Sequence, residues 1–306
     1  MRAYVSRRLL LLVPTLIGVT LATFLMLRLT PGDPVQIMLG EFASGPEVAR
    51  LRRDLGLDRP LPIQYVRFVD RVLHGDLGTS IRSRRAVADE IADRFPSTVI
   101  LTLAAMALAV SVGVSLGAVA ATTRHPMVDS AVMAFALIGL SMPTFWSGLL
   151  LILTFSLRLG WLPITESEGL RAIILPAVTL AAPAAAVLAR ITRSSVLEVL
   201  RQEYVRTARS KGLAEHLVVI RHALRNALVP VLTIVGLQFG GLLAGAVIVE
   251  SVFSRPGLGR LAVNAVLARD FPVAQGIVLV VAVMYVFVNL SVDVMYGFLD
   301  PRIRYH

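Results

Sequence analysis

No cysteine occurs among the 306 residues, which excludes disulfides, thiolate nucleophiles and Cys-ligated zinc. Lysine is nearly absent as well: Lys211 is the only one, and Ser210 stands before it where a phosphate-binding P-loop needs glycine. The chain therefore holds no nucleotide by that motif. There is no G-x-S-x-G nucleophile elbow, and the five histidines, His74, His125, His216, His222 and His306, form no H-E-x-x-H metal pair. Charged residues make up only 16%, and acids are missing from the interior of the long apolar runs. Asp129 and Asp270 stand where runs begin, Glu250 where one ends, and Asp293 near the end of the last, so a carrier driven by a mid-membrane charge relay is disfavoured.

What is abundant is apolar sequence: 56% hydrophobic residues and a mean hydropathy of +0.75 place the chain among integral membrane proteins. Six charge-free runs stand out, Leu9 to Leu27, Phe95 to Thr123, Ser130 to Leu157, Ala172 to Ala189, Asn226 to Val249 and Phe271 to Val292. A hydrocarbon core of ~30 Å takes about 20 helical residues, so each run can span, the fourth most tightly. Lipid cannot satisfy backbone groups, and an all-α membrane protein with six transmembrane helices is expected. Arg7 and Arg8 precede the first run, but its length and the PGDP after it favour a retained helix over a signal peptide.

The net charge of +10 is placed as topology requires, and nucleic acid is not an expected partner. With the N-terminus inside, Arg2, Arg7, Arg8, Arg124, Arg302, Arg304 and the eight cations from Arg190 to Arg225 are cytoplasmic, fourteen in all, against five in the short outer loops. Both termini then lie in the cytoplasm. The remaining cations belong to Arg28 and to the long outer segment from Thr30 to Arg94, whose ten arginines are balanced by ten acids. That segment reads as a small ordered external cap between the first two spans. GPEVARLRRDLGL starts a helix at Pro46 and Glu47 and stops it at Gly56, and LPIQYVRFVDRVLHG makes a second helix closed by Gly75. These helices either cover the mouth of a pathway or pack on neighbouring helix ends.

The stretch VLEVLRQEYVRTARSKG, between the fourth and fifth runs, sets Val196, Val199, Leu200, Tyr204 and Ala208 at helical spacing and ends at Gly212. A second helix is expected through LVVIRHALRNAL toward Pro230. Ala208 and Gly212 are small where the chain turns, which suits either the close approach of another surface or an ordinary helix and its stop. Within the spans, Pro143 frees a backbone carbonyl, and Ser141, Met142, Pro143 and Thr144 are candidates for lining a translocation path in a kinked third span.

EYVRTARSKG followed by RHALRNALVP resembles the cytoplasmic signature of ABC-importer permeases of the dipeptide, oligopeptide and nickel subgroup. The resemblance extends through LRLTPGDPV, LGLDRPLPIQY, HGDLGTS, GLSMPTFW, WLP, VFSRPGLGRL, RDFPV and LDPRIRY, over nearly the whole chain. The broader permease signature has Glu-Ala-Ala before its glycine block; Arg206, Thr207 and Ala208 stand there, and only Ala208 matches. The resemblance implies a type I ABC-importer permease fold, with residues 1–94 forming the first helix and cap, 95–298 the permease core and 299–306 a cytoplasmic tail. It also implies a bacterial inner-membrane subunit in contact with membrane lipid. Its implied partners are a second homologous permease, two cytoplasmic ATPases that carry ATP and Mg, and an external substrate-binding protein.

On this chain the resemblance implies no catalytic residue, metal or cofactor. It implies an ATPase-coupling helix over Glu203, Tyr204, Arg206, Thr207, Ala208, Arg209, Lys211 and Gly212. The outer mouth is expected from the 30–94 cap together with SRPGLGRL, where Arg255 and Arg260 can pair with acids on the binding protein. Peptides or glutathione are the implied cargo. A nickel-chelate importer shares many of the same blocks, and a stand-alone secondary carrier is the alternative from another class.

Overall fold

The computed structural model describes residues 2–29, 35, 45–54, 57–123, 125–164 and 169–299. The PGDP sequence, Gly56, Arg124 and residues 300–306 lie outside the described residues. The helices are α1 (Arg2–Leu29), α2 (Gly45–Asp54), α3 (Leu61–Leu73), α4 (Val87–Thr122), α5 (Pro126–Ser141), α6 (Thr144–Arg158), α7 (Leu170–Leu200), α8 (Glu203–Ser210), α9 (Glu215–Val252), α10 (Leu258–Leu267) and α11 (Phe271–Leu299). Among the described residues the extended structure is one isolated antiparallel bridge, Thr79 with Ala86.

By length and composition α4, α7, α9 and α11 can each cross a membrane, and α5 with α6 adds a fifth crossing if the pair is one broken span. The first expected span falls in α1, whose apolar stretch Leu12–Met26 is shorter than these. The fourth run proved longer than its apolar core suggested: α7 has 31 residues and continues through Arg190 and Arg193 to Leu200. The third run is not one kinked helix, because α5 and α6 meet at 105°. Pro143 has no N–H to continue α5, and Met142 before it is extended at φ −77°, ψ 127°. The α6 ladder restarts from the Pro143 carbonyl, which accepts the N–H groups of Trp146 and Ser147.

The described residues form two compact units, one drawn from 97–259 with 287–299, the other from 2–96 with 260–286. Residues 260–286 thus group with the N-terminal part of the chain. In the first unit α7 is the central helix, its buried face rich in alanine and packed against α5, α6 and α9. The helix α4 also approaches α7 closely. A Cβ on Gly113 would lie 2.7 Å from the Ala185 carbonyl oxygen, and one on Gly117 would lie 2.7 Å from Thr192 Cβ. Small residues one turn apart on α4 thus let two backbones meet, which is how helices associate where lipid removes the hydrophobic drive. Arg193 of α7 donates twice to Asp129 of α5, from Nε to Oδ1 and from Nη2 to Oδ2 at 2.5 Å each, and this fork fixes α5 to α7 near the start of α5.

In the second unit the carboxylate of Asp270, buried at the start of α11, organises the turn after HGDLGTS. It accepts the Ser80 hydroxyl at 2.5 Å and the N–H groups of Ile81 and Arg82 at 3.2 Å each. Ser83 closes the same turn by donating to Glu90. Two blocks 190 residues apart in sequence, HGDLGTS and RDFPV, are therefore one structural feature.

Candidate functional site

The loop between α7 and α9 holds the densest cluster of polar and cationic side chains predicted to act. The expected continuous helix from Val196 to Ala208 is broken: α7 ends at Leu200, and Gln202, extended at φ −73°, ψ 148°, starts α8 afresh. Gln202 lends its carbonyl to the N–H groups of Val205 and Arg206, so the break costs few backbone bonds. Gly212 stops α8 at φ +77°, a left-handed conformation that favours glycine, and its N–H returns to the Arg209 carbonyl at 2.9 Å. The second helix runs past Pro230 to Val252, opening with a π-helical turn over Val218–Leu224.

One stripe secures α8. Val205 and Ala208, one turn apart, are buried with Val218 of α9, and Val199 and Leu200 close the cluster. The small side chain of Ala208 thus serves a contact within the chain; it does not face outward. Glu203, Tyr204, Arg206, Thr207, Arg209, Lys211 and Gly212 are exposed on the remaining surface. Part of that surface is braced: Asn226 donates to the Tyr204 hydroxyl at 2.8 Å, Arg206 pairs with Glu203 at 3.1 Å, and Arg209 forks onto Glu215 at 3.1 and 2.6 Å. The bond to Glu215 raises the Arg209 pKa above its ordinary value, so its charge is fixed. No side chain stands within 4 Å of a Cβ built on Gly212, and its requirement is therefore conformational before it is spatial.

The four residues at the α5–α6 break are together, as their sequence adjacency demands, with Ser141 and Pro143 exposed and Met142 and Thr144 half-buried. Met142 also lines an apolar cavity of about 460 Å³ within the first unit, between α4, α5, α6 and α7. Its walls include Leu108, Val112, Phe135, Leu150 and Val178. Ser141, Pro143 and Thr144 are not part of that lining.

The segment SRPGLGRL was expected to offer Arg255 and Arg260 to a partner, and the two prove to be placed differently. Arg255 is half-buried with its Nε enclosed, and burial lowers its pKa while the charge of Glu250 opposes the fall. The segment folds around Glu250, a side chain with no exposed surface and a role that sequence reasoning missed. Its carboxylate accepts the Thr98 hydroxyl at 2.6 Å and the Gly259 N–H at 2.7 Å, and Thr98 Oγ1 in turn accepts the Leu258 N–H at 2.8 Å. A Cβ on Gly257 would overlap the Glu250 carboxyl group, and one on Gly259 would meet the Val247 backbone. The two glycines of PGLG are thus the visible sign of a buried carboxylate they enclose. Arg260 is half-buried and belongs to the second unit.

Membrane-length helices, one pair of them broken at mid-run, together with a short polar helix held on a hydrophobic stripe, are the frame of a multi-pass membrane protein. The chain belongs to the family of binding-protein-dependent transport system inner membrane components, whose description matches residues 113–305, while the N-terminal region of such components matches residues 1–102. It is 48% identical to the glutathione transport system permease protein GsiC of Salmonella paratyphi A over 302 residues, 99% of each chain. It is 46% identical to the di/tripeptide transport system permease protein DppB of Pseudomonas aeruginosa, over all of this chain and 99% of that one. Among solved structures, an inward-facing MetNI methionine ABC transporter shares the fold at a TM-score of 0.58 and 19% identity, covering 69% of this chain and 96% of that one. The ABC-importer permease fold implied by the sequence motifs is the fold of the chain, and the protein is a multi-pass inner-membrane permease subunit, not an enzyme.

Proposed function

We propose that this permease passes peptides, of the di- and oligopeptide or glutathione class, across the bacterial inner membrane, paired with a second homologous permease. Both termini lie in the cytoplasm, two ATPases there bind ATP and Mg, and an external binding protein delivers the cargo. Full-length similarity to glutathione and di/tripeptide permeases supports the cargo class. The observation that carries the coupling role is α8 itself: one stripe packs it onto α7 and α9, leaving the rest of its surface exposed. Its break from α7 at Arg201 and Gln202 and its glycine stop let it move as a short rigid rod with the ends of α7 and α9. Glu203, Tyr204, Arg206, Thr207, Arg209 and Lys211 form the ATPase-facing surface, Ala208 supports it from beneath, and Gly212 sets the turn.

The exposed edge of the α5–α6 break, from Ser141 to Thr144, lines the path at the boundary with the second permease. Arg260 and the partly enclosed Arg255 lie at the mouth that meets the binding protein. Co-expression with the neighbouring transport subunits, purification through this chain alone and measurement of ATP hydrolysis test the reading. The expected outcome is recovery of two ATPases whose hydrolysis rises with peptide-loaded binding protein. Stimulation by a nickel chelate and not by peptides would reassign the cargo, and transport by the solitary chain without nucleotide would refute the importer.

A further inference from the structure

The segment before α4 was expected to form a cap above the membrane, yet α3 is tied to α1 deep within its apolar run. The Tyr65 hydroxyl lies 2.9 Å from Thr20 Oγ1 and donates to the Ile17 carbonyl at 3.4 Å. Phe24, almost fully buried, stacks its edge on the Tyr65 ring at 5.5 Å and lies 5.9 Å from the Phe68 ring. At ~1.5 Å per residue, Thr20 and Ile17 sit about 10 and 15 Å below Leu27, where that run ends. A hydrocarbon half-thickness is about 15 Å, so the tyrosine hydroxyl is satisfied at hydrocarbon depth, as an embedded tyrosine requires and a solvated one does not.

Three faces of α3 then take distinct surroundings. Tyr65, Phe68 and Val72 lie on the side that meets α1. Pro62, Val66 and Leu73 form a second, exposed apolar edge with Asp70 at its margin, while Gln64, Arg67 and Arg71 are on the opposite side of the helix. Val13, Ile17 and Leu21 of α1, the helix to which α3 is tied, are likewise apolar and exposed. We propose that α3 is an interfacial helix. It lies against α1 at the boundary of the leaflet holding the C-terminal end of α1, with Val66 and Leu73 in lipid acyl chains and Arg67 and Arg71 toward headgroups and water. Both arginines on the side away from the apolar edge and an anchor reaching into the span favour lipid over a protein partner as the occupant, with Asp70 at the margin toward the headgroups.

This rests on the reading that α1 crosses the membrane, and the test separates the two. The natural absence of cysteine allows single nitroxide labels through Ile17→Cys, Val66→Cys, Arg67→Cys and Leu73→Cys. Each variant is assembled with cysteine-free partners and reconstituted in phosphatidylethanolamine–phosphatidylglycerol vesicles. Lipid-soluble oxygen should relax the labels at positions 17, 66 and 73 more than a water-soluble nickel chelate does, and the preference should reverse at position 67. An oxygen preference at 17 with a nickel preference at 66 and 73 places α3 in water and overturns the proposal alone. Labels at 66 and 73 shielded from both agents mean another chain covers the edge, which also overturns it. A label at 17 without oxygen preference removes the membrane reading of α1 itself.

Discussion

Removing the Glu250 carboxylate should destabilise the first unit out of proportion to the size of the side chain. Glu250→Ala leaves the Gly259 N–H without its acceptor and the Thr98 hydroxyl without its partner in a place water does not reach. It also strips the half-buried Arg255 of the negative charge that offsets its desolvation. Deleting one member of a buried charged pair costs about 3–5 kcal/mol, because the remaining group stays desolvated and unpaired. Glu250→Gln keeps the volume and one acceptor oxygen, which can retain the Gly259 N–H while Thr98 rotates to accept from the amide. Its cost should stay near the ~1 kcal/mol of a single exchanged hydrogen bond, plus the loss of charge toward Arg255. Since about 1 kcal/mol shifts a midpoint by roughly 2–4 °C in a chain of this order of size, the alanine variant should lose about 10 °C and the glutamine variant a few degrees. Heating the detergent-purified transporter and following its monodisperse fraction on a sizing column measures both. Equal midpoints for Glu250→Ala and wild type would mean that the carboxylate is not enclosed, and the account of the PGLG segment would fall with it.

Exchanging the partners of the α5–α7 fork should be tolerated better than breaking it. Asp129→Arg and Arg193→Asp should each lower assembled transporter in the membrane, and the double exchange should restore much of it, a coupling of about 1–3 kcal/mol in a double-mutant cycle. Gly117→Val should cost at least the ~1–3 kcal/mol of overpacking, because the new atoms meet the Ala189 carbonyl and not a flexible side chain, and the loss appears as a lower thermal midpoint. Asp270→Ala should release the Ser80–Arg82 turn and speed tryptic cleavage at the exposed Arg82, Arg84 and Arg85; unchanged cleavage would show that the turn holds without the carboxylate.

Apolar runs and the positions of prolines carried most of the helical layout into the sequence, because hydrocarbon forces each run to satisfy its own backbone. The stop at Gly212 was equally legible, since a left-handed turn there favours glycine. The break at Arg201 and Gln202 was not, because nothing in the spacing of Val199, Leu200 and Tyr204 distinguishes one helix from two that share a hydrophobic stripe. Nor was the orientation of Ala208, which depends on Val218 arriving from the next helix. The buried carboxylates were the largest omission. Glu250 and Asp270 sit at the ends of apolar runs, where a solvated acid and a clamped one read alike, and their partners lie 152 and 190 residues away in sequence.

If the exposed surface of α8 transmits the state of the ATPases to the permease, Thr207→Trp should uncouple the two. Thr207 is exposed in regular helix, its hydroxyl bonds only the Glu203 carbonyl one turn back, and its replacement disturbs neither the Val205–Ala208–Val218 cluster nor the strained turn at Gly212. Membrane insertion and pairing with the second permease should remain at wild-type levels. Recovery of the ATPases with the purified chain, or the rise of their hydrolysis with loaded binding protein, should fall to background. Wild-type values for both recovery and stimulation in Thr207→Trp would contradict the coupling role of α8.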